Sequence, residues 1–126
     1  MKLLLDTHAL LWALEGGQKL SEPARAGVEN PAHTILVSVV STWEIALKTA
    51  TGRMKIRGDL FDSIDRVGYH RLPLGFAEVK RLGALPKHPR HKDPFDRLLV
   101  AIALEEGASL VTCDRAMGHY GVPVVW

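Results

Sequence analysis

Four acidic residues of this chain stand where the sequence pattern passes from strand to helix or turn. Asp6 follows the apolar run Lys2–Leu5. Glu44 lies in the first turn of a helical segment, residues 41–51, behind the β-branched run at residues 34–39. Asp96 lies in the first turn of a helix opened by Asp93 and Pro94, and Asp114 stands just beyond the run at residues 109–112. In an open parallel sheet, ligands bind outside the carboxyl ends of the strands, and the helices that follow strands begin at that edge. All four carboxylates are expected to converge there. Gathering them is unfavourable, because neighbouring like charges oppose ionisation. A divalent cation removes the conflict. Mg²⁺ and Mn²⁺ prefer oxygen ligands, and Mg²⁺ usually keeps several waters beside a few carboxylates. No Cys and His set at zinc spacing competes for the assignment. An all-oxygen site of this kind suits phosphodiester hydrolysis by metal-activated water.

Each acid also has a purely structural reading. Ser41 and Glu44 fit a capping box, with Glu44 reaching back to the Ser41 N–H. Asp93 fits an N-cap, and Asp96 complements the dipole of the same helix. Asp6 and Asp114 fit turns. Singly these readings are at least as good as the functional one; a shared edge for all four favours a site.

The elements that must position these acids alternate along the chain. Strands are expected at Lys2–Leu5, 34–39, 70–74, 109–112 and 122–126. Helices are expected at 7–15, from Ser21 to Asn30, and at 41–51, 59–67, 76–85 and 94–106. Pro23 and Pro94 sit in first turns, where a missing N–H is harmless. Gly52 and Gly107 close two of the helices. Strand–helix–strand repeats with short apolar strands imply an α/β fold: a central parallel sheet of four to five strands, flanked by helices on both faces.

The bulk numbers bound the rest. A chain of 126 residues, 47% apolar and 24% charged, suits one ordinary globular domain over residues 1–126. No apolar stretch approaches the ~20 residues of a membrane helix. Asp6 interrupts the N-terminal apolar run, so no signal peptide is expected and a cytoplasmic address follows. One cysteine, Cys113, makes no internal disulfide and is expected at least half-buried. The net charge of +2 is mild, but residues 80–92 hold five Lys or Arg, two His and no acid. Lys87, Arg90 and Lys92 of that run, with Arg97, are candidate phosphate contacts. For Arg97 a salt bridge to Glu105 or Asp93 is the structural alternative. Trp12, Trp43 and Trp126 are read as core or dimer contacts, and His8, His88 and His91 as local packing or loop residues.

The segments around the acids resemble the PIN-domain ribonucleases, and among them the VapC-type toxins of toxin–antitoxin pairs. The resemblance rests on Leu4-Leu5-Asp6-Thr7-His8; on Ser38 with Ser41-Thr42-Trp43-Glu44-Ile45-Ala46 and Lys48; on His91-Lys92-Asp93-Pro94-Phe95-Asp96-Arg97-Leu98-Leu99, followed by Ala101 and Ala103; and on Thr112-Cys113-Asp114. It spans essentially the whole chain. It implies a PIN-like nuclease domain in which Asp6, Glu44, Asp96 and Asp114 surround one or two Mg²⁺ or Mn²⁺ ions. Thr7, Thr112 and Asp93 support them. It further implies an endoribonuclease acting on RNA, a homodimer, and a small antitoxin as partner. Phe76 departs from the pattern, where many relatives have histidine. The alternative is a catalytically inactive PIN fold that binds RNA or a partner. A dehalogenase-like phosphatase would need an acid where His8 stands, and a receiver domain would need an Asp after residues 34–39.

Overall fold

The computed structural model describes residues 1–87 and 93–126. Its strands are β1 (Lys2–Leu5), β2 (Thr34–Ser38), β3 (His70–Leu72), β4 (Ser109–Val111) and β5 (Val124–Val125). They form one sheet in the order β3-β2-β1-β4-β5, and every pairing is parallel. The helices are α1 (Thr7–Leu14), α2 (Glu22–Glu29), α3 (Val39–Ala50), α4 (Leu60–Arg66), α5 (Phe76–Ala84) and α6 (Pro94–Glu106), with a short 3₁₀ helix at Arg115–Tyr120. Among the described residues no helix is long and apolar enough to cross a membrane.

Side chains of a strand alternate between the two faces of its sheet. Leu3, Leu5, Ile35 and Val37 therefore pack on one side, with Leu10 of α1, Val28 of α2, Ile45 of α3 and Ile64 of α4. Leu4, Leu36 and Leu110 pack on the other, against Leu99 and Ile102 of α6 and Met117. Both faces are covered, which is why these strands are apolar at both parities. The middle of α6, from Leu98 to Ala103, is buried on every side. Burying a leucine or isoleucine of this kind contributes about 1.5–3 kcal/mol. Gly107 ends α6 in the left-handed conformation (φ 63°) that residues with a Cβ avoid.

Most boundaries fall within a residue of the sequence reading, and three regions differ in a way that has a physical cause. The second strand ends at Ser38, and α3 begins at Val39 with Ser38 as its N-cap; the Val40 N–H donates to Ser38 Oγ at 3.0 Å. The Ser41–Glu44 capping box is therefore not formed. Ser41 is fully buried, and its Oγ has no hydrogen-bond partner among the described residues. The third strand stops at Leu72 because Pro73 has no N–H to continue the ladder. The last strand shortens to Val124–Val125, although the Leu110 N–H already donates to the Pro123 carbonyl at 2.8 Å.

From β1 the chain builds outward through β2 to β3, then returns to place β4 on the opposite side of β1. The strand order thus reverses between β1 and β4. A crevice opens at the carboxyl end of such a switch point.

Candidate active site

Asp6 leaves β1 directly at the switch point. Its N–H donates to the Val111 carbonyl of β4 at 3.1 Å. Its carboxylate caps α1, accepting from the Ala9 N–H at 2.7 Å, and accepts a further bond from the Thr112 hydroxyl. Thr112 is fully buried, and its Oγ1 also accepts from the Asp114 N–H at 3.0 Å. One hydroxyl thereby ties the first acid to the last. Asp114 caps the 3₁₀ helix through the Ala116 N–H at 3.0 Å. Asp93 caps α6 through the Asp96 N–H at 3.0 Å, which fixes the turn that presents Asp96.

Glu44 is held differently. It is buried in α3, with 7% of its surface exposed. Thr7 Oγ1 donates to its Oε1 at 2.6 Å, and Lys48 Nζ, one helical turn on, donates to its Oε2 at 2.7 Å. The lysine has no role in the sequence reading beyond its place in the motif. Its signal there was the four-residue spacing that lets helical side chains meet.

These groups line one cavity of about 260 Å³, bounded by Asp6, Thr7, His8, Glu44, Lys48, Asp93, Asp96, Cys113, Asp114 and Met117. All four acids, with Thr7 and Asp93, share it. Thr112 lies just behind, through its bond to Asp6. Burial raises the Asp6 carboxyl above its ordinary range, against the hydrogen bonds from Thr112 and Ala9. The Asp96 carboxyl is pushed up to about 7, by burial first and then by the charges of Asp93, Asp6, Glu44 and Asp114.

That donor set fits a hard divalent cation by its chemistry: carboxylates and a hydroxyl outnumber the one thiol, one thioether and one imidazole that also line the cavity. Among the described residues, no three His, Cys, Asp or Glu side chains already converge closely enough to hold an ion. Mg²⁺ usually retains several waters, so it needs only a few carboxylates from the protein.

The basic residues are less concentrated. Lys87 is exposed, and Arg90 and Lys92, like His88 and His91, lie outside the described residues. Arg97 does not line the acidic cavity. Its Nη1 donates to the Pro86 carbonyl at 3.2 Å and to Tyr120 Oη at 3.1 Å, and its guanidinium lies 5.5 Å over the Tyr120 ring. Glu105, its expected partner, pairs with Arg81 at 2.8 Å. Trp12 and Trp126 pack together at 5.8 Å, half-buried. Trp43 instead is 53% exposed, with Phe95 edge-on at 5.0 Å. Cys113 is exposed rather than half-buried. Partial burial and the Asp6 charge push its thiol up, away from nucleophilic thiolate chemistry.

The fold and cavity define a parallel α/β protein with an acidic site at the switch point of its sheet. The chain belongs to the PIN domain family, whose model matches residues 3–123. It is 28% identical over 128 residues to Ribonuclease VapC22 of Mycobacterium tuberculosis, covering 98% of each chain. It resembles the structure of VapBC2 from Rickettsia felis bound to a DNA fragment from their promoter, with a TM-score of 0.73 at 17% identity over 98% of this chain and 97% of that one. VapBC-1 from nontypeable Haemophilus influenzae gives 0.66 at 18% identity over 98% and 96%. A toxin–antitoxin complex from Klebsiella pneumoniae gives 0.63 at 20% identity over 98% and 96%. At these identities the structural likeness speaks to the fold.

Proposed function

We propose that this protein is a Mg²⁺- or Mn²⁺-dependent endoribonuclease, the toxin of a toxin–antitoxin pair. The observation that carries the reading is the meeting of Asp6, Glu44, Asp96 and Asp114 in one cavity at the carboxyl edge of the sheet. The similarity to a named ribonuclease along nearly the whole of both chains supports RNA as the substrate. Asp6, Asp96 and Asp114 would hold one or two ions, and Glu44 would serve the same site as a ligand or through a water. When bound, the ion acidifies water and offsets the charge that builds on a phosphate in hydrolysis. The protein's own part is positioning. Thr112 and the Ala9 N–H orient Asp6; Asp93 sets the turn that carries Asp96; Thr7 and Lys48 fix Glu44. Lys87, Arg90 and Lys92 would meet flanking phosphates, while Arg97 holds the Pro86 carbonyl.

A partner surface accompanies this reading. Val39, Trp43 and Leu47 follow one another at four-residue spacing on α3 and are 45%, 53% and 47% exposed. Beside them, an apolar cleft of about 590 Å³ runs between α3 and α4, lined by Ile45, Met54, Ile56, Leu60 and Phe61 among others. Exposed apolar surface of this extent marks an interaction site, and a homodimer and a small antitoxin are its proposed occupants. A cytoplasmic address goes with that role.

The test is cleavage of RNA in Mg²⁺ or Mn²⁺ and in chelator, with Asp6→Asn and Asp96→Asn alongside. Ion-dependent cleavage lost in both variants is expected. Binding of RNA without cleavage under any ion would favour the inactive binding module.

A further inference from the structure

Both oxygens of Glu44 are engaged before any ligand enters the cavity. Oε1 accepts from the Thr7 hydroxyl at 2.6 Å and Oε2 accepts from the Lys48 ammonium at 2.7 Å. Bonds this short, made to a charged acceptor, are the strong ones. The carboxylate is nearly enclosed, with 9% of its side chain exposed, whereas Lys48 keeps 33% and reaches the cavity from its rim. Removing Thr7 or Lys48 would free one end of the carboxylate to rotate. A divalent cation placed directly on Oε2 would also lie against the ammonium and be repelled by it. A water is suited to the same lone pairs: it can donate to Glu44 without conflict with Lys48.

We infer that Lys48 is a positioning residue: together with Thr7 it locks the Glu44 carboxylate as a charged acceptor that holds a water in the cavity, rather than as a direct ligand of the ion. This rests on the reading of the cavity as an ion-dependent ribonuclease site. Lys48 acts through Glu44 and is not required to touch the RNA. Partners that orient site residues in this way typically matter by about tenfold to a hundredfold in activity.

The experiment compares the full chain with Lys48→Met, Lys48→Arg, Glu44→Gln and the double variant Lys48→Met with Glu44→Gln. Three readouts are taken: Mn²⁺ affinity by calorimetry without RNA, kcat and KM on a single-stranded RNA, and the thermal midpoint in chelator. Lys48→Met is expected to lower kcat by about tenfold to a hundredfold, with KM and Mn²⁺ affinity within about threefold of the parent. Lys48→Arg, which can donate to the same oxygen, recovers most of kcat. In chelator, Lys48→Met and Glu44→Gln shift the midpoint non-additively, which reads the pair independently of catalysis. A raised KM at unchanged kcat would make Lys48 a substrate contact and overturn the inference. So would a loss of Mn²⁺ affinity of about tenfold or more, equal kcat in Lys48→Met and the parent, or an arginine variant as slow as the methionine one. If the parent chain neither binds Mn²⁺ nor cleaves RNA, the ribonuclease reading itself fails, and additive midpoints in chelator would then also remove the clamp.

Discussion

Replacing Asp96 with asparagine should stabilise the ion-free protein while disabling it. In the native cavity the Asp96 carboxyl holds its proton up to about pH 7, against an ordinary value of 3.8. Between those values the native state binds more protons than the unfolded chain, so stability falls as pH rises through that window. Above it the full cost of ionising Asp96 is present; the gap corresponds to an upper bound of ~4 kcal/mol. Asp96 is half-buried, and solvent screening discounts that figure to about 1–2 kcal/mol. Asparagine keeps the size of the side chain and removes the charge. For a domain of this size the thermal midpoint should rise by roughly 4–8 °C at pH 8 in chelator. The gain should shrink as pH falls toward 4, where the aspartate is protonated in the native state and increasingly so in the unfolded one. Mg²⁺ should raise the parent's midpoint and leave the variant's nearly unchanged. The assay is thermal denaturation of both proteins across pH, with chelator and with Mg²⁺. A variant that melts at or below the parent at pH 8 in chelator would refute the reasoning, because ionising Asp96 would then cost the fold nothing.

Other outcomes follow from the same contacts. Thr7→Val removes a buried, charge-assisted hydrogen bond at 2.6 Å and should cost about 1.5–3 kcal/mol in denaturant unfolding; a change within error would mean the bond is not formed in solution. Leu99→Ala empties a fully buried position in α6 and should cost about 2–5 kcal/mol at an unchanged denaturant slope. A cost well under that range would mean α6 is not the central helix of its face. Trp43→Asp with Leu47→Asp charges the exposed stripe on α3; sedimentation should show weakened self-association with little change in melting. A dimer that persists would move the proposed interface elsewhere.

The parallel α/β fold was readable because short, β-branched or leucine-rich runs that are apolar at both parities and alternate with helical segments suit strands covered on both faces, as Leu3 to Leu5 and Ile35 to Val37 are. The common edge of the acids was readable from the order of strand and acid, which needs no side-chain geometry. The start of α3 was not. Ser38 and Ser41 are equally good caps by residue type, and burial of Ser41 in the packed interior, a tertiary effect, decided between them. The same shift by three residues places Glu44 in the second turn, where Thr7 and Lys48 are its partners. The structural partner of Arg97 was not readable, because sequence spacing offered Glu105 and Asp93, while Tyr120 comes near only through the fold. The exposure of Trp43 likewise depends on which face of α3 meets the sheet.

The most direct test of an ion-dependent ribonuclease at this cavity is a single titration. Chelator-stripped protein is titrated with Mn²⁺, and bound ion and the single-turnover rate of RNA cleavage are measured in the same samples. An acidic site that works through the ion predicts that the two saturate together, and that both are lost in Asp96→Asn. Full cleavage before any ion is bound, or a saturated site with no cleavage, would contradict it.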